Sequence, residues 1–208
     1  MGYAMYFYRF SDGRSIGGDK RGLSDFLERR GLSLQRSTHS SDTTHLTNAD
    51  GSVLLFDDGY PRDLILSDPS IHDSELSAFI AHAHLSDDEC ELLYDLCVST
   101  NFLLVHVDVP LLFVIPGGNH RIDQLPQEVR DDADRGEIEI VVANSWQEMQ
   151  AALKYEYTRI PQIRGIQPRT GRIHPWASLF ICTRSTETDS SIRIATACRS
   201  SCNGVECT

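Results

Sequence analysis

His82 and His84, one residue apart and followed by Asp87 and Asp88, come nearest in this chain to metal chemistry. Imidazole and carboxylate both ligate zinc or iron, so two histidines at i, i+2 with a carboxylate close behind can share one ion. A metal on His82, His84 and Asp87 or Asp88 would make the chain a small metal-dependent hydrolase. Three other groupings have the residue types for chemistry. Residues 13–20, Gly-Arg-Ser-Ile-Gly-Gly-Asp-Lys, lie between a strand pattern and a helix pattern, where a phosphate-binding loop belongs. Asp19, however, separates the last glycine from Lys20 and would set a negative charge against a phosphate. Asn119-His120-Arg121 follows Gly117-Gly118, and such a loop can hold an anion or work as an acid and base. Cys198, Cys202 and Cys207 lack the paired C-x-x-C spacing of a zinc ribbon.

The histidine pair resembles, locally, the His-x-His-x-Asp-His pattern of metallo-β-lactamase-like hydrolases. That resemblance implies zinc-dependent hydrolysis. Two departures count against it: Asp87 falls one position late, and Asp88 takes the place of the closing histidine. The pair is also expected at a junction between two helices, where imidazoles sit favourably at a helix C-terminus. We expect structural histidines and no cofactor.

The strongest compositional signal is residues 57–95. They carry eleven carboxylates (Asp57, Asp58, Asp63, Asp68, Asp73, Glu75, Asp87, Asp88, Glu89, Glu91 and Asp95) against one basic residue, Arg62. Charge is unevenly spread over the whole chain of 208 residues. Residues 1–149 hold 11 basic and 26 acidic side chains, net −15, whereas residues 150–208 hold 8 and 4, net +4. Binding to nucleic acid requires lysines and arginines to neutralise phosphates, so a nucleic-acid partner is not expected. A basic protein partner is. Seventeen of the nineteen basic residues are arginine, a bias expected of a GC-rich bacterial genome. The most apolar run, 107–115, is interrupted by Asp108 and Pro110 and is far shorter than the ~20 residues of a membrane span. The first ten residues lack a basic segment followed by an apolar one, so a cytoplasmic protein is expected. Six cysteines without framework spacing fit reduced thiols, with Cys90 and Cys97 on the apolar side of a helix.

The elements that must position these residues follow from periodicity and punctuation. Residues 3–10 alternate as a strand before a turn at Ser11-Asp12-Gly13. Asp19 caps a helix over 20–30 that presents Leu23, Phe26 and Leu27, and Gly31 ends it. A strand is expected at 32–36. Strands at 43–47 and 52–56 flank Asn48-Ala49-Asp50-Gly51, a hairpin connection. Another strand is expected at 64–66. Ser70-Ile71-His72-Asp73 reads as a capping box for a helix carrying Leu76, Phe79 and Ile80. Ser86-Asp87-Asp88-Glu89 reads as a second box, before Cys90, Leu93, Tyr94 and Cys97 at i, i+3, i+4, i+7. Strands at 102–107 and 111–115, a helix at 126–134, a strand at 137–143 and a helix at 146–157 complete the ordered pattern. A Pro- and Gly-containing loop at 161–176, strands at 177–183 and 191–197, and a frayed tail are expected beyond.

Strands and helices mix without a βαβ rhythm, so the fold class is α+β with a mainly antiparallel sheet and several short helices. Residues 116–124 are the expected boundary between an N-terminal lobe, 1–116, and a C-terminal lobe, 117–208. Helix capping accounts for Asp73, Asp87, Asp88 and Glu89 but not for Asp57, Asp58, Asp63 and Asp68. The functional expectation is a non-enzymatic binding protein of the inhibitor or immunity type. It would engage a basic toxin or enzyme through Asp57, Asp58, Asp63, Asp68, Asp73, Glu75, Asp87, Asp88 and Glu91. The hydrolase is the alternative. A structural or assembly subunit, with the apolar strands of residues 102–115 at an interface, is a third reading, and a homo-oligomer is allowed for.

Overall fold

The computed structural model describes residues 3–37, 42–60, 64–70, 75–107 and 111–159. The chain divides into a compact unit, Met1–Gly165, and a second unit, Ile166–Thr208, which lies outside the described residues. The strands expected at 177–183 and 191–197, and Cys182, Cys198, Cys202 and Cys207, fall in that second unit.

The described residues form nine strands and four helices. In order these are β1 Tyr3–Ser11, β2 Arg14–Ile16, α1 Lys20–Arg30, β3 Leu32–Arg36, β4 Thr43–Asn48, β5 Leu64–Ser67, β6 Ala78–Ala83, α2 Asp87–Thr100, β7 Leu103–His106, β8 Leu111–Pro116, α3 Gln127–Asp134, β9 Ile138–Ala143 and α4 Trp146–Arg159. A 3₁₀ turn, Ile122–Gln124, precedes α3. The sheet order is β3-β4-β5-β6-β1-β7-β8-β9, with β2 pairing the end of β1. Every pairing is antiparallel except β8 with β9, whose connection runs through the 3₁₀ turn and α3. The fold is therefore α+β with a mostly antiparallel sheet, as its pattern of elements predicts.

Period-two alternation on the central strand sets the two faces of the sheet. Met5 and Phe7 are fully buried and join Leu23, Phe26, Ile80, Leu93, Leu96, Leu104, Val114 and Leu153 in one apolar cluster. Helices α1, α2 and α4 supply its other side. Tyr6 and Tyr8 point the opposite way. Tyr6 pairs with Val105 and Tyr8 with Leu103, and the Tyr6 ring lies 4.7 Å from that of Phe79. Burial pushes the Tyr8 hydroxyl well above its ordinary pKa.

Local chemistry explains the helix ends. Asp19 Oδ1 accepts the N–H groups of Arg21 and Gly22, at 2.9 and 3.1 Å, and Gly31 closes α1 in the left-handed conformation, φ 64°. The carboxylate of Asp19 thus occupies the helix N-terminus that a phosphate would need, and Gly13 to Ile16 form a turn and a strand. The turn between β1 and β2 uses Asp12 and Gly13 at positive φ, 50° and 73°, as a two-residue hairpin requires.

The expected helix through Leu76, Phe79 and Ile80 is corrected. Residues 71–74, including His72 and Asp73, lie outside the described residues, and Ala78–Ala83 is a strand between β5 and β1. Leu76, Ala78 and Ile80 are buried, while Ser77 is exposed and Phe79 half-buried. So short an apolar run suits either period, and two neighbouring strands with open hydrogen bonds decided for period two. The hairpin at 48–51 forms, with Asn48 N–H donating to Ser52 O at 3.0 Å, but its second arm keeps one isolated bridge, Thr47 to Val53.

Candidate functional site

With β6 a strand, His82 and His84 stand at a strand-to-helix junction, which corrects the helix-to-helix setting expected for them. Neither His82 nor His84 is drawn towards the other or towards Asp87. His84 Nδ1 lies 2.9 Å from Asp58 Oδ2, and the Tyr60 ring centroid is 6.0 Å from the imidazole. Among the described residues, no group of three or more His, Cys, Asp or Glu side chains could hold a metal ion.

The junction instead fastens the loop that precedes β5. Phe56 is buried and anchors one end of this loop. Asp57 N–H donates to Asp88 Oδ2 at 2.6 Å, and Asp58 Oδ1 accepts Tyr60 N–H at 3.0 Å. Asp88 Oδ1 also accepts Ser86 Oγ–H and the Glu89 N–H. Glu89 is fully buried, and its Oε2 accepts the N–H groups of His84 and Leu85 at 2.8 and 2.7 Å. The expected capping box is therefore not made. Ser86 makes no side-chain cap bond, and Glu89 reaches back past it to the two residues before. Leu85 takes φ 61°, which turns the chain sharply into α2.

The carboxylates of residues 57–95 have different fates. Asp87 Oδ1 accepts from Gln150 Nε2 of α4, and Glu91 and Asp95 pair with Arg30 of α1. Asp68 is only 3% exposed, and it accepts from Ser70 and from Arg36 Nε. The bonds from Ser70, and then the charge of Arg36, hold its carboxyl below the usual range. Glu75 is exposed in the coil before β6. Asp63 and Asp73 lie outside the described residues. The Asp57 carboxylate is exposed and has no hydrogen-bond partner among the described residues.

Asp57, Asp58, Asp87 and Asp88 therefore come together around one loop and one helix start. Beside them stand three large side chains that charge counting passes over. Val53 is 61% exposed, Leu55 59% and Tyr60 63%. Their signal lay in residues 52–56, where Leu54 and Phe56 turn inwards and the alternation must send Val53 and Leu55 outwards.

The Asn119-His120 loop is a structural bolt. Asn119 Nδ2 donates to Cys97 O and Phe102 O, so its Oδ1 accepts from His120 Nδ1–H at 2.9 Å. His120 Nε2 then accepts the Phe10 N–H at 3.1 Å. Both ring nitrogens are committed to the neutral tautomer, and protonation would set two N–H groups against each other. Burial first, and the charge of Arg9 second, lower the His120 pKa to about 4. The folded pKa lies below the unfolded ~6.5, so the unfolded chain binds more protons between these values. The stabilisation is complete above pH 6.5 and is lost as pH falls through 4. Denaturant titrations from pH 7 to pH 4 are expected to show a loss of roughly 3 kcal/mol from this residue. The difference between wild type and His120→Leu isolates it from the carboxylates. Parallel pH profiles for the two would remove the bolt.

Cys90 and Cys97 are buried free thiols, as the helix periodicity predicts. Burial pushes the Cys90 thiol up to about 12 and raises Cys97 likewise, which makes both poor nucleophiles. No helix among the described residues is long and apolar enough to cross a membrane. No protein-family model matches the chain, and no curated protein or solved structure is significantly similar to it.

Proposed function

We propose that the chain is a protein-binding module, of the inhibitor or immunity type, that engages a basic partner through the surface built by residues 52–60 and the start of α2. One observation carries this reading: Val53, Leu55 and Tyr60 stand exposed beside Asp57 and Asp58. Stable interfaces combine an apolar or aromatic centre, which supplies most of the affinity, with a charged rim that sets specificity and association rate. Exposed apolar side chains in a group carry an aggregation hazard unless a partner covers them. The loop is held from beneath by the Asp57–Asp88 and Asp58–His84 contacts, so little ordering entropy opposes docking.

The test separates centre from rim. Tyr60→Ala is expected to weaken the partner about tenfold to a hundredfold at any salt concentration, within the range of an aromatic hot spot. Asp57→Lys removes an exposed carboxylate with no hydrogen-bond partner among the described residues, so stability should stay within ~0.5 kcal/mol of wild type. That variant should slow association at low salt and lose its effect at high salt. Affinities are measured by surface plasmon resonance at both salt concentrations against the partner captured by the wild-type chain. Equal affinities for wild type and both variants would remove the surface and leave its carboxylates as solvated charge.

A further inference from the structure

We infer that the cleft between α3 and β9 binds a free aliphatic α-amino acid as its zwitterion, independently of the surface of residues 52–60. The cleft has a volume of about 670 Å³, within the ~300–1,000 Å³ of small-molecule sites. Gln127, Arg130 and Asp134 of α3 form its polar wall, and Ile122, Ile138 and Ile140 contribute apolar surface. The three polar residues share one face of the helix because they are spaced three and four apart.

Arg130 and Asp134 carry opposite charges one helical turn apart, yet they form no ion pair with each other. Their order disfavours one, since a base N-terminal to an acid closes less well than the reverse. Helical side chains also lean towards the helix N-terminus. Arg130 does so, and its Nη2 donates to Gln127 Oε1 at 2.6 Å, one turn back. Asp134 is left behind, exposed and with no hydrogen-bond or ion-pair partner among the described residues. Arg130 has no carboxylate partner among the described residues either, and its buried Nε meets no acceptor there.

The cleft therefore offers a cation and an anion, separated by about 6 Å of helix rise, beside aliphatic surface. A ligand with a single charge is attracted at one end and repelled at the other. Asp123 and Glu139 also line the cleft, which counts further against a simple anion. Asp123 is already held by Arg121, so Asp134 is the carboxylate that remains for a cation. An α-amino acid carries both charges on one carbon and can bridge the gap. Its carboxylate accepts from the Arg130 guanidinium, its ammonium donates to Asp134, and both bonds are charge-assisted. Its side chain then lies against Ile122, Ile138 and Ile140, where an aliphatic group gains most from burial.

The test is isothermal titration of the full chain with L-leucine, with amide NMR shifts to locate the ligand. Binding is expected with a Kd of about 1 mM and shifts centred on α3, the 3₁₀ turn and β9. 4-Methylpentanoate and 3-methylbutylamine each lack one of the two charges. Each should bind about tenfold more weakly, as expected when one charged hydrogen bond is lost. Asp134→Asn changes an exposed side chain and should weaken leucine about tenfold with an unchanged thermal midpoint. Arg130→Gln should weaken it by a similar factor. An absence of heat and of shifts at about 10 mM leucine would overturn the proposal. Equal affinities for leucine and 4-methylpentanoate would overturn it as well, as would an Asp134→Asn chain that binds leucine as tightly as wild type. Shifts centred away from α3 and β9 would put the ligand elsewhere and end the assignment.

Discussion

Replacing Glu89 with alanine is expected to lower the unfolding free energy by about 3 kcal/mol, against ~0.5 for an ordinary surface carboxylate. Glu89 is fully buried and is the shared acceptor of the His84 and Leu85 N–H groups. Without it, the Leu85 N–H loses its acceptor inside the protein, at a cost of about 1–3 kcal/mol. The His84 N–H is partly reached by water and costs less. Leu85 also sits at φ 61°, a conformation that costs a non-glycine residue roughly 1 kcal/mol and persists only while its surroundings enforce it. Glu89→Gln keeps an oxygen of the same reach and should recover most of the loss. Urea denaturation distinguishes the two. The consequence should also extend to function, because His84 and Asp88 hold the 56–60 loop from this same junction. Glu89→Ala should therefore weaken partner binding even though Glu89 itself is covered. An alanine variant as stable as wild type would mean that the junction is not held by this carboxylate.

Gly22→Ala carries the other large effect, and here two terms compete. Alanine at an interior helix position is favoured over glycine by about 1 kcal/mol, so a solvent-facing glycine would be improved by the change. At Gly22 a Cβ would lie 1.7 Å from Ser99 O and 2.8 Å from Ser99 C, both backbone atoms of α2. No rotamer relieves such a clash, and α1 would have to move off α2. Overpacking of this kind typically costs 1–3 kcal/mol, so the net expectation is a loss of up to about 2 kcal/mol. The same shift would disturb the Arg30 pairing with Asp95 and Glu91 and the Asp19 N–H bond to Thr100 O. Gly31→Ala is the control: there φ is 64° and nothing lies within 4 Å of the new Cβ. Its cost should be about 1 kcal/mol and purely conformational. A Gly22→Ala variant at or above wild-type stability would show that the two helices do not cross at this glycine.

Several elements of the fold were legible because their causes are local. The Asp19 and Gly31 caps mark α1, and the i, i+3, i+4, i+7 spacing of Cys90, Leu93, Tyr94 and Cys97 marks α2. The Asn48 to Gly51 turn and the apolar run of β8 likewise act over a few residues. Residues 76–83 form a strand although their apolar spacing serves helix and strand alike, because the choice rested with pairing to β5 and to β1, the latter far away in sequence. The short β2 was hidden for a related reason: only its pairing with Arg9 to Ser11 makes it a strand.

The candidate site divides along the same line. Sequence alone determined that the acidic residues concentrate in 57–95 and that the His82-Ala83-His84 spacing departs from a known ligand pattern. Which of those carboxylates remain available was decided only in three dimensions. Asp68 is taken by Arg36 and Ser70, Asp95 by Arg30 and Glu89 by two backbone N–H groups, while Asp57 is left outward beside Val53, Leu55 and Tyr60. Charge is a property of each residue and can be counted along a chain. The use of a charge depends on the donors that folding brings within about 3 Å, and these came from residues two to sixty-five positions away.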